Sequence, residues 1–157
     1  MKIKTGLGQD SHAFETSDKA LILGGVTFDH AQGLRGNSDA DVVLHALTNA
    51  ISSITGRNIL GKVADDLCQS GVTDSREYLK LALADLHPGC IEHVAISLEC
   101  LTPKISPRVE AMKTAIADLL SIQPSDVGIT ATTGEGLTAF GQGKGIQALV
   151  IITVAYE

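Results

Sequence analysis

Apolar residues change their spacing along this chain, and each change marks an element. Residues 2–10 read as a strand running into a Gly-bearing turn. Leu21-Ile22-Leu23 and Val26-Thr27-Phe28 flank Gly24-Gly25, the composition of a hairpin or a kinked strand. Ser38 is suited to a helix N-cap, with Asp41 three residues on in the manner of a capping box. Val43, Leu47, Ala50 and Ile54 follow at helical spacing until Gly56 stops the run. Residues 57–73 are polar and irregular, and predict a mobile surface loop.

Asp74 with Glu77 opens a second helix, Leu79, Leu83 and Leu86 form its apolar stripe, and His87-Pro88-Gly89 ends it. Residues 92–101 alternate as a strand, with Val94, Ile96, Leu98 and Cys100 on one face. Ser106-Pro107 predicts an N-cap followed by proline at the first helical position. That third helix runs to about Ser121, with Val109, Met112, Ile116 and Leu119 or Leu120 inward. Strands near 127–133 and 145–155, joined by a Gly-rich loop, close the chain. The predicted order, β-β-α-α-β-α-β-β, lacks strict βαβ alternation. It fits an α+β layer sandwich, a mixed sheet with helices on one face. The last strand, Ile146 to Tyr156, is apolar on both sides, so the other sheet face is expected to meet a second subunit.

Composition narrows the function. A length of 157 residues suits one domain, 1–157, large enough to bury roughly 70% of its unfolded surface. With 19% charged and 44% hydrophobic residues the chain is globular rather than disordered. Aromatics are only 3%, so the core must be aliphatic. The net charge is −6 and the cations are scattered, which argues against a nucleic-acid partner. An anionic small substrate would need metal ions or helix ends to draw it in. Cys68, Cys90 and Cys100 show no C-x-x-C spacing, so neither a disulfide framework nor a zinc ribbon is expected. No signal peptide is read at Met1-Lys2-Ile3-Lys4, and Ala148 to Ile152 is too short to span a bilayer. A cytoplasmic protein without a membrane partner is expected.

Four constellations carry chemistry. Asp10-x-His12 places a carboxylate and an imidazole on one side of a strand, a donor pair suited to zinc or a similar divalent metal. His45, two turns into the Ser38 helix and flanked by Leu44, Ala46 and Leu47, reads as a core histidine or a third ligand. Three protein ligands would leave one tetrahedral position open, the catalytic pattern. Gly36-Asn37-Ser38-Asp39-Ala40-Asp41 is a helix start whose free N–H groups could bind a phosphate, though Asp39 and Asp41 would repel one without a metal. Ala131-Thr132-Thr133-Gly134-Glu135-Gly136 reads as a turn between strands, or as a phosphate cradle in which Glu135 holds a hard cation. Lys104 after Pro103 is similarly two-valued.

Taken together, the chain resembles the 2-C-methyl-D-erythritol 2,4-cyclodiphosphate synthases of non-mevalonate isoprenoid biosynthesis, over nearly its whole length. The likeness runs through Gly8-Gln9-Asp10-Ser11-His12, Leu23-Gly24-Gly25-Val26, Gly33-Leu34, Ser38-Asp39-Ala40-Asp41-Val42 and Leu44-His45-Ala46. It continues through Thr73-Asp74-Ser75, Pro103-Lys104, Ala131-Thr132-Thr133 with Glu135, and the glycines to Gly145. The resemblance implies a homotrimeric lyase with active sites between subunits. It implies Zn²⁺ on Asp10, His12 and His45, and Mg²⁺ or Mn²⁺ near Glu135. The implied substrate is a cytidine diphosphate, 4-diphosphocytidyl-2-C-methylerythritol 2-phosphate, closed to a cyclic diphosphate with loss of CMP. Asn37 and Thr133 take the implied catalytic positions. Asp10, His12, Asn37, Ser38, Ile59, Gly61, Pro103, Lys104, Thr132, Thr133, Glu135 and Gln142 take the substrate-binding ones.

The sequence also departs from that pattern. Asn37 stands where the family usually has His, and Asn58-Ile59-Leu60-Gly61 replaces Gly-Asp-Ile-Gly. Val63-Ala64-Asp65-Asp66 is a degenerate Phe-Pro-Asp-Thr-Asp, Gly134 replaces a Thr, and Gln142 replaces an Arg. The metal ligands survive while the rim of the substrate pocket has drifted. A metal-dependent phosphohydrolase and a catalytically weakened trimer that binds diphosphates or isoprenoids remain as other readings of the same residues.

Overall fold

The computed structural model describes residues 1–157. A long first strand, β1 (Lys2–Glu15), leads into a hairpin of β2 (Leu21–Leu23) and β3 (Val26–Phe28). Gly24 and Gly25 turn this hairpin with φ of 62° and 77°, the left-handed pair that matches strand twist. A two-residue β4 (Gly33–Leu34) returns to pair with the end of β1. Three helices follow: α1 (Val42–Thr55), α2 (Lys62–Gln69) and α3 (Ser75–Leu86). Then come β5 (Cys90–Glu99), a 3₁₀ turn at Ser106–Arg108, α4 (Val109–Leu120), β6 (Val127–Thr132) and β7 (Gly145–Tyr156).

The main sheet has the order β4-β1-β7-β5-β6 and is mixed, since β5 and β6 run parallel while the other pairs are antiparallel. Alternation decides which face is buried. Val94, Ile96 and Leu98 of β5 and Ile146, Ala148, Val150, Ile152 and Val154 of β7 all point into the core. The inward positions of β1 include Gly6 and Gly8. A Cβ on Gly8 would lie 2.1 Å from the Ala46 carbonyl oxygen and 2.3 Å from the Ala50 nitrogen. At Gly6 it would lie 2.2 Å from the Ala50 carbonyl oxygen. So α1 lies backbone-against-backbone on β1, closer than any side chain would permit. The expected α+β layer sandwich is the fold observed.

Three expectations are corrected. The first helix is capped by Asp41 rather than Ser38, and starts at Val42. The Asp41 carboxylate accepts from Leu44 N at 3.0 Å and also from Gly24 N at 2.8 Å and Gly25 N at 2.7 Å. One buried carboxylate thus ties the hairpin to the helix start, and this tertiary demand selects it over Ser38. Residues 57–73 are not simply irregular, because they contain α2, of which only Ala64 is buried. The helix is only eight residues long, so its apolar stripe of Val63-Ala64 and Leu67-Cys68 spans a single repeat and did not read as a helix. The first strand extends past residue 10 to Glu15, because it pairs with β7 from Lys2↔Tyr156 to Ala13↔Gly145. Gly56 ends α1 at φ 80°, as expected. Leu120, rather than Leu119, is the buried residue at the end of α4.

Gly8→Ala is expected to cost about 3 kcal/mol or more, the upper end of overpacking penalties, because backbone on both sides must move. Urea melts of the variant read this directly, and a parental midpoint would show that α1 does not seat on β1 as described.

Candidate active site

Asp10 and His12 are i and i+2 on β1 and face α1. His45 is the fourth residue of α1, at the end of its first turn, and the close seating over Gly6 and Gly8 brings it to them. Asp10 Oδ2 lies 2.9 Å from His12 Nε2 and 3.1 Å from His45 Nδ1, and those two nitrogens are 3.3 Å apart. Bonds of about 2.0–2.1 Å to a tetrahedral ion place ligand atoms roughly 3.4 Å apart, so the triangle is close to the size such an ion needs. The three residues form a group able to hold a divalent metal.

Electrostatics agree with the geometry. Burial works against the Asp10 carboxylate, but hydrogen bonds and charge from His12 and His45 outweigh it and bring its pKa down to about 2. The hydrogen bond to Asp10 raises the His12 pKa, with burial opposing. Asp41 behaves oppositely: burial pushes it up to about 6, against the hydrogen bonds it accepts from Gly25, Leu44 and Gly24.

Around the triad lies a cleft of about 320 Å³ lined by Gly36, Asn37, Ser38, Leu60, Gly61 and Tyr78, with Asp65 and Cys68 at its side. That volume is at the low end for small-molecule sites. Asn37 is exposed on the rim. The expected anion site at the helix start needs correction, because the Asp41 carboxylate already fills that end of α1. Ser38 Oγ instead accepts from Ala40 N at 3.1 Å. Ile59 is also corrected as a contact residue, since its side chain is fully buried in the core, whereas Gly61 does line the cleft.

A second cluster forms at the opposite edge of the sheet. Pro103, Lys104, Thr132 and Thr133 line a cleft of about 200 Å³ with Cys100, Leu101 and Ile105. Burial raises the Cys100 thiol pKa to about 11, so this cysteine offers no thiolate there. Glu135 and Gln142 lie exposed in the adjoining β6–β7 segment, where Gln142 Nε2 donates to the Gly136 carbonyl at 3.1 Å. Strand order keeps the two clusters apart in one chain, because β1 and β6 are three strand spacings distant, about 14 Å.

Sequence reasoning missed Tyr78, Leu60, Cys68 and Ser75 near the triad. Ser75 is fully buried and its Oγ lies 2.8 Å from His45 Nε2. Asp74 with Glu77 had signalled a helix start, and Asp74 does cap α3, while Ser75 entered only through the Thr73-Asp74-Ser75 resemblance.

The fold and triad can be set beside known proteins. The YgbB family profile matches residues 3–155. The chain belongs to the YgbB family. It is 50% identical over 155 residues to the 2-C-methyl-D-erythritol 2,4-cyclodiphosphate synthase of Chlamydia felis, covering 96% of this chain and 88% of that one. Among solved structures, a 2C-methyl-D-erythritol-2,4-cyclodiphosphate synthase in a CDP-bound form superposes with a TM-score of 0.85 at 26% identity, over 97% of this chain and all of that one. The bifunctional IspDF of Campylobacter jejuni superposes with a TM-score of 0.90 at 29% identity, over 99% of this chain. This YgbB-family chain spans only 43% of that larger protein. No helix is long and apolar enough to cross a membrane.

His45→Ala is expected to abolish stoichiometric divalent-metal binding with the fold intact, read by elemental analysis and circular dichroism. Full zinc occupancy in that variant would refute the triad. Metal retention should also weaken as pH falls through the raised His12 pKa, where protons compete for the nitrogen. In the metal-free chain the His12 interaction stabilises below its unfolded pKa of 6.5 and is lost as pH rises through the raised value. The Asp10 contribution is present above 3.8 and disappears as pH falls towards about 2.

Proposed function

We propose that this chain is a lyase that converts 4-diphosphocytidyl-2-C-methyl-D-erythritol 2-phosphate into 2-C-methyl-D-erythritol 2,4-cyclodiphosphate and CMP, in the cytoplasm, as a step in making isoprenoid precursors. The observation that carries this reading is the Asp10–His12–His45 triangle, sized for a tetrahedral metal, in a chain 50% identical to a synthase of that name. In the reaction a 2-phosphate oxygen forms a bond to the β-phosphorus. The bond from that phosphorus to the oxygen bridging it to the α-phosphate breaks, and CMP leaves with the electron pair.

Such a displacement needs its two anions brought together and neutralised, and little covalent help. Asp10, His12 and His45 would hold Zn²⁺, and Glu135 a Mg²⁺ or Mn²⁺, which together supply the positive charge that an acidic chain lacks. Asn37 at the rim of the first cleft donates from its amide to a phosphate oxygen. Thr132 and Thr133 offer hydroxyls to the diphosphate, and Lys104 beside Pro103 offers a cation to the cytidylate end. Gln142 braces the loop that carries Glu135 by its bond to Gly136.

Because the two clusters lie on opposite edges of one sheet, a complete site needs the β1 edge of one copy beside the β6 edge of another. Such a heterologous contact can close into a ring, and three copies is the number that the family resemblance implies. The sheet face away from the helices supports this, since it exposes Ile3 at 53%, Leu7 at 61%, Leu149 at 38% and Ile151 at 47%. The proposed assembly is a homotrimer with shared sites, for which light scattering should give three times the chain mass. A monomer mass at assay concentration would overturn it.

Phosphorus NMR of the purified protein with the cytidyl substrate and both metals should show CMP and a cyclic diphosphate appearing together. Linear phosphates instead would make it a hydrolase. Asn37→Ala should slow cyclisation about 10²–10³-fold, the usual cost of one lost transition-state donor. A parental rate would make Asn37 a bystander.

A further inference from the structure

Behind the triad is a chain of polar groups that the proposed reaction does not use directly. Ser75 is the first residue of α3, and Asp39 lies in the segment before α1. Neither lines the cleft, and Ser75 is fully buried. The Ser75 hydroxyl donates to Asp39 Oδ1 in a short bond. The same carboxylate is held in place by Ser75 N, which donates to Oδ2 at 3.1 Å, and by Asp41 N, which donates to Oδ1 at 3.2 Å. Asp39 N in turn donates to the Thr73 carbonyl at 2.9 Å, so the segment is stapled to the start of α3.

The direction of this chain follows from counting protons. A carboxylate only accepts, and a serine hydroxyl has one proton to give. With that proton on the bond to Asp39, Ser75 Oγ can only accept from His45 Nε2, 2.8 Å away. Nε2 therefore carries a hydrogen, and Nδ1 is the nitrogen turned towards Asp10 Oδ2 at 3.1 Å and His12 Nε2 at 3.3 Å, where a metal held by the triad would take its lone pair. Ser38 Oγ, at 3.5 Å from Nε2, is too far to compete.

We propose that Asp39 and Ser75 are positioning residues for metal binding, a carboxylate–hydroxyl–imidazole relay that holds His45 as its Nδ1-ligating tautomer and turns the ring into the triad. The relay rests on the reading that the triad holds a divalent metal. It also strengthens His45 as a ligand, because an outer-shell partner fixes the ring's orientation and leaves less to order when the metal binds. The Thr73-Asp74-Ser75 motif thereby does two things: Asp74 caps α3, and Ser75 orients a ligand on another helix.

Zn²⁺ affinity of the parent, Ser75→Ala, Asp39→Asn and the double variant, measured by competition with a chromophoric chelator, tests this. Each single variant should bind Zn²⁺ about 10–100-fold more weakly, the range for lost outer-shell partners. The double variant should be no worse than the weaker single one, since the two groups act in series. Metal-free Ser75→Ala should keep the parent's circular dichroism despite the hydrogen bonds it gives up, so weaker Zn²⁺ binding in it is not the result of unfolding. Nitrogen-15 NMR of the Zn²⁺-loaded parent needs no variant and should show His45 with Nε2 protonated and Nδ1 bare. Parental affinity in Ser75→Ala, or the opposite tautomer, overturns the relay while leaving the triad standing. A parent that binds no Zn²⁺ overturns both.

Discussion

Everything at the candidate site depends on one contact, the backbone of α1 resting on the backbone of β1. Helices normally stand about 10 Å off a sheet, with side chains filling the gap. Here Gly6 and Gly8 remove the side chains from the strand, and the helix settles until Ala46 and Ala50 backbone atoms occupy the space a Cβ would take. That approach turns His45, a residue in a largely buried helix, into a partner for two strand residues. A strand repeat of two gives Asp10 and His12 a common direction, and only the helix at this height gives them a third atom at 3.1–3.3 Å.

Asp41 and Ser75 beneath the site are fully buried, Asp39 is half-buried, and each of the three is hydrogen-bonded. Asp41 accepts three backbone N–H groups, two from the hairpin and one from α1. Its pKa still rises to about 6, since burial is the largest influence on it. Asp39 and Ser75 continue the same pattern towards His45. A buried polar group left unpaired is costly, so such clusters are rigid when complete. Rigidity at this place is useful, because it holds an imidazole at a defined angle where a metal ligand is wanted.

The sheet also divides the chemistry. Two of the three metal ligands sit on β1 and the third on α1 above it, while the hydroxyl donors lie at the end of β6, with β7 and β5 between the strands. A parallel pair such as β5–β6 beside antiparallel neighbours sets Glu99 opposite Thr132 and carries the Thr132-Thr133 segment past the end of the sheet next to Pro103 and Lys104. The exposed apolar residues of β1 and β7 lie on the face that no helix covers.

Much of this was legible in the residues themselves. Alternation in 92–101, the Leu79-Leu86 stripe, the Gly24-Gly25 turn and the Gly56 stop are local signals, because strand and helix periodicity and left-handed glycine act within a few residues. Asp10, His12 and His45 were readable as ligand types, and their order with the Thr132-Thr133 segment carried the family resemblance. Three things were not readable. Ser38, Asp39 and Asp41 are all competent caps within four positions, and the choice fell to Asp41 because N–H groups 16 and 17 residues away needed its carboxylate. The helix at 62–69 is two turns long, so its Val63-Ala64 and Leu67-Cys68 stripe makes one repeat, too short to stand out among polar neighbours. Ser75 was visible only through the Thr73-Asp74-Ser75 resemblance, because its bond to His45 crosses 30 residues of chain. Local energetics write the elements and the kinds of ligand into the sequence, whereas the cap, the ligand's tautomer and the gap between the two clusters depend on contacts that exist only once α1 has settled on β1.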